Sequence, residues 1–367
     1  MTDLLALSMI VKDEARGIER TLRSVLGQVG RYLILDTGST DGTPRIIQEI
    51  MRGVPGEVRF APFIDFSTTR NQALEMLGEK ATFALLLSGD EHLVAPEQAL
   101  LKQCMALKDA SEGAYHLRVQ FGADQYDSAR VMRTHARWRY RGLTHEVLTD
   151  ANGDGAKVRL QGVTVVHDLS RRDPLKCRKR WFQDVQLLER QLLNDPNDRR
   201  ACFYLAQSLE CLGSFARAES LYGQRAGMGG WSEEVYESLY RIARCQEAQR
   251  KPWTLAMSNY LAAFSVDPAR AEPLYRIAQH YHLERNWALC YLFAKRAAEL
   301  PLPQSRSLFV ESEVYRLQAA DLLSTAAWYV GEHEVGESAL QKALLACPTD
   351  ERLNGNLELY QRRRHAS

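Results

Sequence analysis

The apolar pattern of the sequence changes its character once, near Leu169. Before this point short apolar runs alternate with amphipathic stretches, and after it long helical patterns rich in Ala, Leu, Tyr, Glu and Arg take over. The first texture is typical of βαβ units and the second of an all-α domain. The sequence therefore predicts two domains of different class, a division that suits a chain of 367 residues.

Two runs of the first half are apolar throughout, Leu33 to Leu35 and Phe83 to Leu87. Parallel strands that are buried on both faces have this pattern, and in such sheets ligands bind beyond the carboxyl ends of the strands. The residues that follow the two runs, Asp36 and Ser88 to Glu91, are therefore the first candidates for a binding site.

The second half repeats with a period of about 34 residues, the length of helical hairpins that resemble tetratricopeptide repeats. Small residues recur twelve positions apart, at Ala206 and Ala218 and again at Ala278 and Cys290. We expect these residues to let paired helices approach closely. The predicted units are 198–229, 232–267, 270–301 and 313–348, with a capping helix from Asp350 to about Arg363.

Two segments of this half depart from the repeat. The 232–267 unit is irregular, and about ten residues after Pro301 fit no repeat. A generic helical domain without true repeats stays the alternative interpretation.

Composition limits the classes of partner and compartment. Lys and Arg number 47 against 46 Asp and Glu, so the net charge of +1 gives no general attraction for nucleic acid or acidic membranes. The seven cysteines are scattered and odd in number, which argues against a disulfide framework and favours a reducing cytosol. The apolar run Leu4 to Val11 is too short to span a membrane, so we expect no signal peptide, no anchor and a cytoplasmic location.

The loop Asp36-Thr-Gly-Ser-Thr-Asp-Gly-Thr43 lies between a predicted strand and a predicted helix. Its acid can hydrogen-bond a base or a ribose, and its glycines and hydroxyls allow a close turn around a nucleotide. An Asx turn that caps the following helix uses the same residues, so the loop alone does not decide between these roles.

Four ordered motifs add to this loop. They are SMIVKDE (8–14), LILDTGSTDGT (33–43), DFSTTRNQAL (65–74) and LLSGDE (86–91). In order and spacing they resemble the family 2 glycosyltransferases with a GT-A fold. The resemblance is greatest to the branch with C-terminal tetratricopeptide repeats, which includes peptide S-glycosyltransferases of the sublancin type. It extends to three later segments, RYRGLTHE (139–146), His167 and FYLAQS (203–208).

The resemblance implies a fold and a domain division. We expect a GT-A domain with a Rossmann-like mixed α/β sheet over 1–168, a linker helix over 169–195, and an all-α tetratricopeptide-like domain over 196–367. It implies a hexosyltransferase-like enzyme that uses a nucleotide-sugar donor, commonly UDP-linked, and a peptide, protein or other acceptor. We expect the helical domain to hold the acceptor, a second protomer in a homodimer, or both.

The resemblance also assigns site residues. Asp90 occupies the last acidic position of the family's DxD element and is assigned to Mn²⁺ or Mg²⁺, which supplies the positive charge that a departing diphosphate needs. Val11, Asp36, Arg70 and Ser88 are assigned to the nucleotide. Asn71, beside Arg70, is expected to support the loop.

One position departs from the family pattern. Where relatives usually have Asp-Ala-Asp-Glu, this chain has Ser88-Gly89-Asp90-Glu91. A hydroxyl still accepts a hydrogen bond, but the bond is about half as strong as one to a charged group. The rival hypothesis is therefore a tetratricopeptide scaffold with a degenerate, non-catalytic sugar-nucleotide domain.

Inverting transfer to a hydroxyl, thiol or amide needs a base opposite the leaving group. Glu146 is the candidate base, with a structural salt bridge as its alternative. His145 is a candidate to position the acceptor or to close over the diphosphate. His167 is a candidate third metal ligand, with a purely structural histidine as the alternative. The basic cluster between Arg171 and Arg180 is expected to pair between domains or to meet a phosphate or an acidic acceptor.

Overall fold

The structure, a computed structural model, describes residues 3–122, 124–168, 174–303 and 308–366. The chain divides into two units, Met1–Pro196 and Asn197–Ser367.

The first unit is built on an eight-stranded mixed sheet in the order β3-β2-β1-β4-β7-β6-β10-β5. The strands β1 to β4 are mutually parallel, whereas β7 runs antiparallel to β4 and to β6, and β5 antiparallel to β10. The bounds are β1 Asp3–Val11, β2 Arg31–Asp36, β3 Gly56–Phe60, β4 Ala81–Leu86, β5 Glu91–Val94, β6 Ala114–Phe121, β7 Asp124–Arg133 and β10 Val158–His167. A separate antiparallel pair consists of β8 Arg139–Arg141 and β9 Val147–Thr149.

Alternate residues of the central strand β1 lie on opposite faces of the sheet. Leu5 and Leu7 join one core, which also includes residues of the helices α1 Ile18–Val25, α2 Thr43–Ile50 and α4 Ala99–Ala106. Ala6 belongs to the other core, together with residues of α3 Phe66–Leu77. Because β1 is buried on both sides, its carboxyl end has a fixed position relative to its neighbours.

Helix α5 Pro174–Asn194 also belongs to the first unit. Its buried Asp184 and its Gln191 hydrogen-bond residues of the loop between β8 and β9. Lys176 and Arg180 of the basic cluster pair with Glu14 and Asp184 of the same unit. Arg171 and Arg172 lie outside the described residues.

The second unit is a succession of helices. Its helices pack in sequential hairpins, α6 with α7, α8 with α9, α10 with α11 and α12 with α13, and a last helix α14 packs on α13. The bounds are α6 Arg199–Cys211, α7 Phe215–Gly227, α8 Ser232–Ala248, α9 Trp253–Val266, α10 Glu272–Leu283, α11 Trp287–Glu299, α12 Ala319–Val330, α13 His333–Ala346 and α14 Glu351–Ala366, and a π-helical turn, Val314–Gln318, leads into α12.

The predicted fold class is confirmed: a GT-A-like mixed sheet is followed by tetratricopeptide-like helical hairpins. The small residues that set the period, Ala206, Ala218, Ala278 and Cys290, are all fully buried. The irregular repeat 232–267 is longer than the repeat before it because α8 has 17 residues, whereas α6 has 13. All seven cysteines are free thiols. Among the described residues, no helix has the length and apolar character needed to cross a bilayer.

Candidate donor and acceptor site

The carboxyl ends of β1, β2 and β4 bring the first candidate residues to one edge of the sheet. Val11 is in register with Asp36 on β2, and Ser8 is in register with Leu86 at the end of β4. The backbone amide of Thr37 donates to the carbonyl of Val11 at 2.9 Å, which continues the ladder past the end of β2. Parallel pairing therefore places Asp36 and the segment that begins at Ser88 on the same edge.

Asp36 is fully buried, and its two carboxylate oxygens have different surroundings. Oδ1 accepts hydrogen bonds from the amides of Gly38 and Ser39, both at 2.8 Å, in the Asx turn that the sequence allowed. Oδ2 is buried and has no hydrogen-bond partner. A buried acceptor without a partner costs about 1–3 kcal/mol, so a donor from a ligand would be stabilising at this atom.

The loop after β2 is bonded to the loop after β1. The Asp13 amide donates to Ser39 Oγ and the Thr40 amide donates back to Asp13 Oδ1. Asp41 accepts from the Ala15 amide and from Thr43. Partial burial alone would raise the pKa of Asp41, but these hydrogen bonds outweigh it and lower the pKa. The two loops therefore form one cross-linked rim beside Asp36.

Arg70, on α3, connects the edge of the sheet that carries Ser88 to the candidate base, Glu146. Its Nη2 donates to Ser88 Oγ at 3.2 Å, and its Nε forms an ion pair of 2.6 Å with Glu146 Oε1. Both side chains of the ion pair are largely buried, with 16% and 11% exposure. Ser88 therefore presents its hydroxyl to a guanidinium. Glu146 lies in the salt bridge that was the alternative to its role as base.

The sequence DFSTTRNQAL explains how Arg70 is positioned. Asp65 caps α3 by accepting the Thr68 amide at 2.7 Å, a typical role for an acid at a helix start. Asn71 donates to the carbonyl of Tyr140 and accepts from the amide of Tyr140, so it fastens β8 to α3. These two hydrogen bonds are of the kind that the predicted supporting role of Asn71 requires.

Asp90, Glu91 and His167 lie together where β5 and β10 pair. His167 Nε2 is 2.9 Å from Glu91 Oε1, and its Nδ1 is 3.9 Å from Asp90 Oδ2. Glu91 is 1% exposed and also pairs with Arg130 at 2.6 Å, while its Oε2 accepts from the Ser88 amide. Asp90 is 55% exposed. Asp90 therefore faces solvent, whereas the buried Glu91 holds the segment Ser88 to Glu91 in place.

Charge pairing sets the protonation of this cluster. Burial alone would raise the pKa of Glu91, but Arg130 and His167 outweigh it and lower the pKa to about 2. Burial alone would lower the pKa of His167, but Asp90 and Glu91 outweigh it and raise the pKa to about 9. His167 is therefore an imidazolium at neutral pH in this arrangement, and it would have to release a proton to bind a metal ion.

The donor set can be compared with what Mn²⁺ or Mg²⁺ needs. No group of three or more His, Cys, Asp or Glu side chains suited to a metal ion occurs among the described residues. Asp90 nevertheless offers an accessible carboxylate next to the Nδ1 atom of His167. Hard divalent cations are often held by one or two protein ligands, with diphosphate oxygens and water completing the shell. The residues therefore fit an ion bound jointly with a diphosphate.

His145 lies in the loop between β8 and β9 with a left-handed backbone, φ 49°. Its Nε2 is 3.9 Å from Asp184 Oδ2 of α5, and Asp184 Oδ1 accepts from the hydroxyl of Thr144 at 2.7 Å. The Leu143 amide donates to Gln191 of the same helix. Helix α5 thus orients the segment that carries His145 and Glu146.

The sequence matches a family model over most of this unit. Residues 7–159 match the model described as Glycosyl transferase family 2. Residues 7–159 are thus similar to a glycosyltransferase family 2 domain. The match lies within the first unit. It covers the strands that bring together Val11, Asp36 and Ser88, and it also includes Arg70 and Glu146.

One curated relative is a TPR repeat-containing protein of Synechococcus elongatus, 28% identical over 256 residues. The alignment covers 67% of this chain, and the chain spans 62% of the relative's length. Similar solved structures include MamA of Desulfovibrio magneticus RS-1, with 15% identity and a TM-score of 0.36. The alignment covers 48% of this chain and 93% of that chain. Another is the N-terminal domain of stress-induced protein-1 from C. elegans, with 15% identity and a TM-score of 0.30. That alignment covers 36% of this chain and 99% of the other.

The geometry groups the sequence candidates into two sets. Arg70, Ser88 and Glu146 are in direct contact, and Asp90 and His167 form a second group. Two further residues were not singled out from the sequence, Arg130 as the partner of Glu91 and Asp184 as the support of the His145 loop. Glu91 ends the LLSGDE motif and was among the candidates, whereas no motif of the sequence points to Arg130 or Asp184.

Proposed function

We propose that this chain is an inverting glycosyltransferase that moves a sugar from a UDP-sugar to a hydroxyl, thiol or amide of a peptide, a protein or another acceptor, with the help of a divalent metal ion. The observation that carries the proposal is the unpartnered, buried Oδ2 of Asp36 at the carboxyl ends of β1 and β2. A uracil N3–H is a donor that would satisfy this acceptor. The matched family model supports glycosyl transfer by the same unit.

In the proposed complex, the nucleotide lies along the edge formed by Val11, Asp36 and Ser88. Arg70 contributes a planar fork of five N–H donors, so it can keep its ion pair through Nε and direct other nitrogens to ribose or phosphate oxygens. Asp90, with His167 beside it, would hold Mn²⁺ or Mg²⁺. The bound ion would supply positive charge to the diphosphate as the bond to the sugar breaks.

On the acceptor side, Glu146 would accept the proton of the attacking hydroxyl, thiol or amide. The acceptor atom then bonds to the anomeric carbon while the bond from that carbon to the phosphate oxygen breaks, and UDP departs. His145 is proposed to position the acceptor, since Asp184 and Thr144 hold its loop in place. The sublancin-type branch makes a cysteine thiol in a peptide one acceptor to test.

A specific observation also favours the rival function. Ser88 replaces the first acid of the motif and hydrogen-bonds Arg70, and Glu146 is paired with that same arginine. This arrangement is complete without a ligand. A non-catalytic domain that binds a sugar nucleotide, joined to a tetratricopeptide scaffold, would have these contacts as well.

Thermal stability in the presence of nucleotide sugars tests donor binding. A ligand at 100 times its dissociation constant stabilises the native state by about 2.7 kcal/mol. We expect UDP-sugars with Mn²⁺ to raise the melting temperature more than GDP- or CMP-sugars do, and more than UDP-sugars do without metal. Equal shifts for all nucleotides, or none, would contradict a uridine donor.

A further inference from the structure

Leu308 to Glu311, part of the stretch after α11 that fits no repeat, lies across the first helices of three successive hairpins. Leu308 to Glu311 contacts residues of α6, α8 and α10 and the turn that precedes α10. We call the surface formed by these helices the first-helix face. The contacts join residues up to 106 positions apart in sequence, since Phe203 stacks with Phe309.

The backbone of the segment is bound as a peptide ligand would be. The Leu308 amide donates to Glu233 Oε2 at 2.8 Å, and the Glu311 amide donates to Glu272 Oε1 at 3.1 Å. Arg270 donates to two successive carbonyls, those of Leu308 and Phe309, at 3.1 Å each. Three of the four residues thus share four main-chain hydrogen bonds to charged side chains of the face.

Two side chains of the segment supply specificity. The Phe309 ring stacks on Phe203, with centroids 6.2 Å apart, and the Arg241 guanidinium lies 4.8 Å from its centroid. The Glu311 carboxylate accepts from Tyr240 at 2.7 Å and pairs with Arg276 at 3.0 Å. The face therefore has one place for an aromatic ring and, two residues on, one for a carboxylate.

Two arginines of the face, Arg241 and Arg270, have carboxylate partners outside the segment. Arg270 pairs with Glu272 at 2.9 Å, and Arg241 pairs with Glu237 and Glu210. Removing the segment would therefore leave these charges paired with one another, whereas Arg276 would lose its ion pair with Glu311 and keep its hydrogen bond to the Tyr240 hydroxyl. Phe309 has a left-handed φ of 49° and keeps 40% of its surface exposed, so the segment gives up a strained conformation on release.

We propose that the first-helix face is a peptide-binding site whose resident ligand is the chain's own Leu308–Glu311 segment. Only an extended peptide that has an aromatic residue, followed two positions later by a glutamate, displaces the segment from this site. A tethered segment of this kind has an effective concentration on the order of millimolar, so weaker or unrelated peptides do not displace it. This proposal is independent of the glycosyltransferase chemistry.

The test uses the full-length chain and a fluorescent peptide with the sequence of residues 308–313. The double variant Phe309→Ala and Glu311→Gln weakens the resident ligand. The matched control is Glu313→Gln, which makes the same chemical change at a side chain paired with Arg316 outside the face. We expect the double variant to bind the peptide at least tenfold more tightly than the wild type and the control do. A peptide with the same two replacements should not bind.

The proposal is overturned if a folded double variant fails to bind the peptide, or if all three proteins bind it equally. Hydrogen exchange on the wild-type protein gives a second test that needs no variant. The peptide at about 10 mM, above the millimolar effective concentration of the tether, should accelerate exchange of the Leu308 and Glu311 amides, and the doubly replaced peptide should not. Unchanged exchange would equally overturn the proposal.

Discussion

The replacement Asp36→Asn tests the proposed contact with the base at a single atom. Asparagine keeps the size of the side chain, and its Oδ1 can still accept from the amides of Gly38 and Ser39. In the aspartate, Oδ2 is buried and has no hydrogen-bond partner. Asparagine has an NH₂ group at the same place, and this group donates a hydrogen bond instead of accepting one. The loop should therefore keep its shape while the atom that would receive uracil N3–H loses its acceptor character.

The magnitude follows from the strength of one hydrogen bond to a charged group. Such a bond contributes about 1.5–3 kcal/mol, and 1.4 kcal/mol corresponds to a factor of ten in affinity. We expect the dissociation constant for UDP with Mn²⁺ to rise about 10- to 150-fold. Cytosine has an acceptor at N3, so the preference of the wild type for UDP over CDP should shrink or reverse in the variant.

Calorimetry with UDP and CDP measures these changes, with Asp41→Asn as the matched control. Asp41 lies in the same loop, but its oxygens bond Ala15 and Thr43 instead of remaining unpartnered. Its replacement should affect stability more than the choice of base. If Asp36→Asn binds UDP as tightly as the wild type does, with the same preference over CDP, the reasoning from the unpartnered oxygen is refuted.

Three further predictions concern metal, base and assembly. Asp90→Ala should abolish the metal-dependent part of UDP binding without unfolding the chain, and unchanged metal dependence in calorimetry would mean that the ion is held elsewhere. Glu146→Gln should lower single-turnover transfer about 10²- to 10⁴-fold with little change in donor affinity; a joint loss of rate and affinity would instead make Glu146 a partner of Arg70 on the donor side. Light scattering should show a homodimer for the full chain and a monomer for a truncation that ends near Asn194, whereas a monomeric full chain would refute the dimer.

The helical half was predictable because its packing rule is local. Ala206 and Ala218 are buried in one hairpin, and Ala278 and Cys290 in another, at the spacing that the sequence shows. Prolines at 301 and 348 lie beyond the ends of α11 and α13. The 34-residue period could not predict the contacts of Leu308–Glu311, because the residues that it contacts lie on three earlier helices.

The donor edge was predictable for a similar reason. Apolar strands at the centre of the sheet are read directly from sequence, and parallel register then places Asp36 opposite Val11. The contacts that support the site are of a different kind. Glu91 meets Arg130, 39 residues away, and Thr144 meets Asp184, 40 residues away. No local pattern reports such pairs, because they depend on how β7 and α5 pack.

The roles of all the assigned site residues stay predictions: Val11, Asp36, Arg70 and Ser88 for the nucleotide, Asp90 and His167 for the metal ion, and His145 and Glu146 for catalysis. The structure adds the contacts against which they can be tested, above all the ion pair between Arg70 and Glu146.

Turnover of a UDP-sugar separates an enzyme from a binding scaffold most directly. The measurement is UDP release from a panel of UDP-sugars with Mn²⁺ or Mg²⁺, by the wild type and by Asp90→Ala at equal concentration. Because water can replace the acceptor, no knowledge of the natural acceptor is needed. We expect metal-dependent UDP release by the wild type that is lost in the variant. Tight, metal-dependent binding of UDP-sugar with no release of UDP above the level of the variant would contradict the account and identify the domain as a binding module.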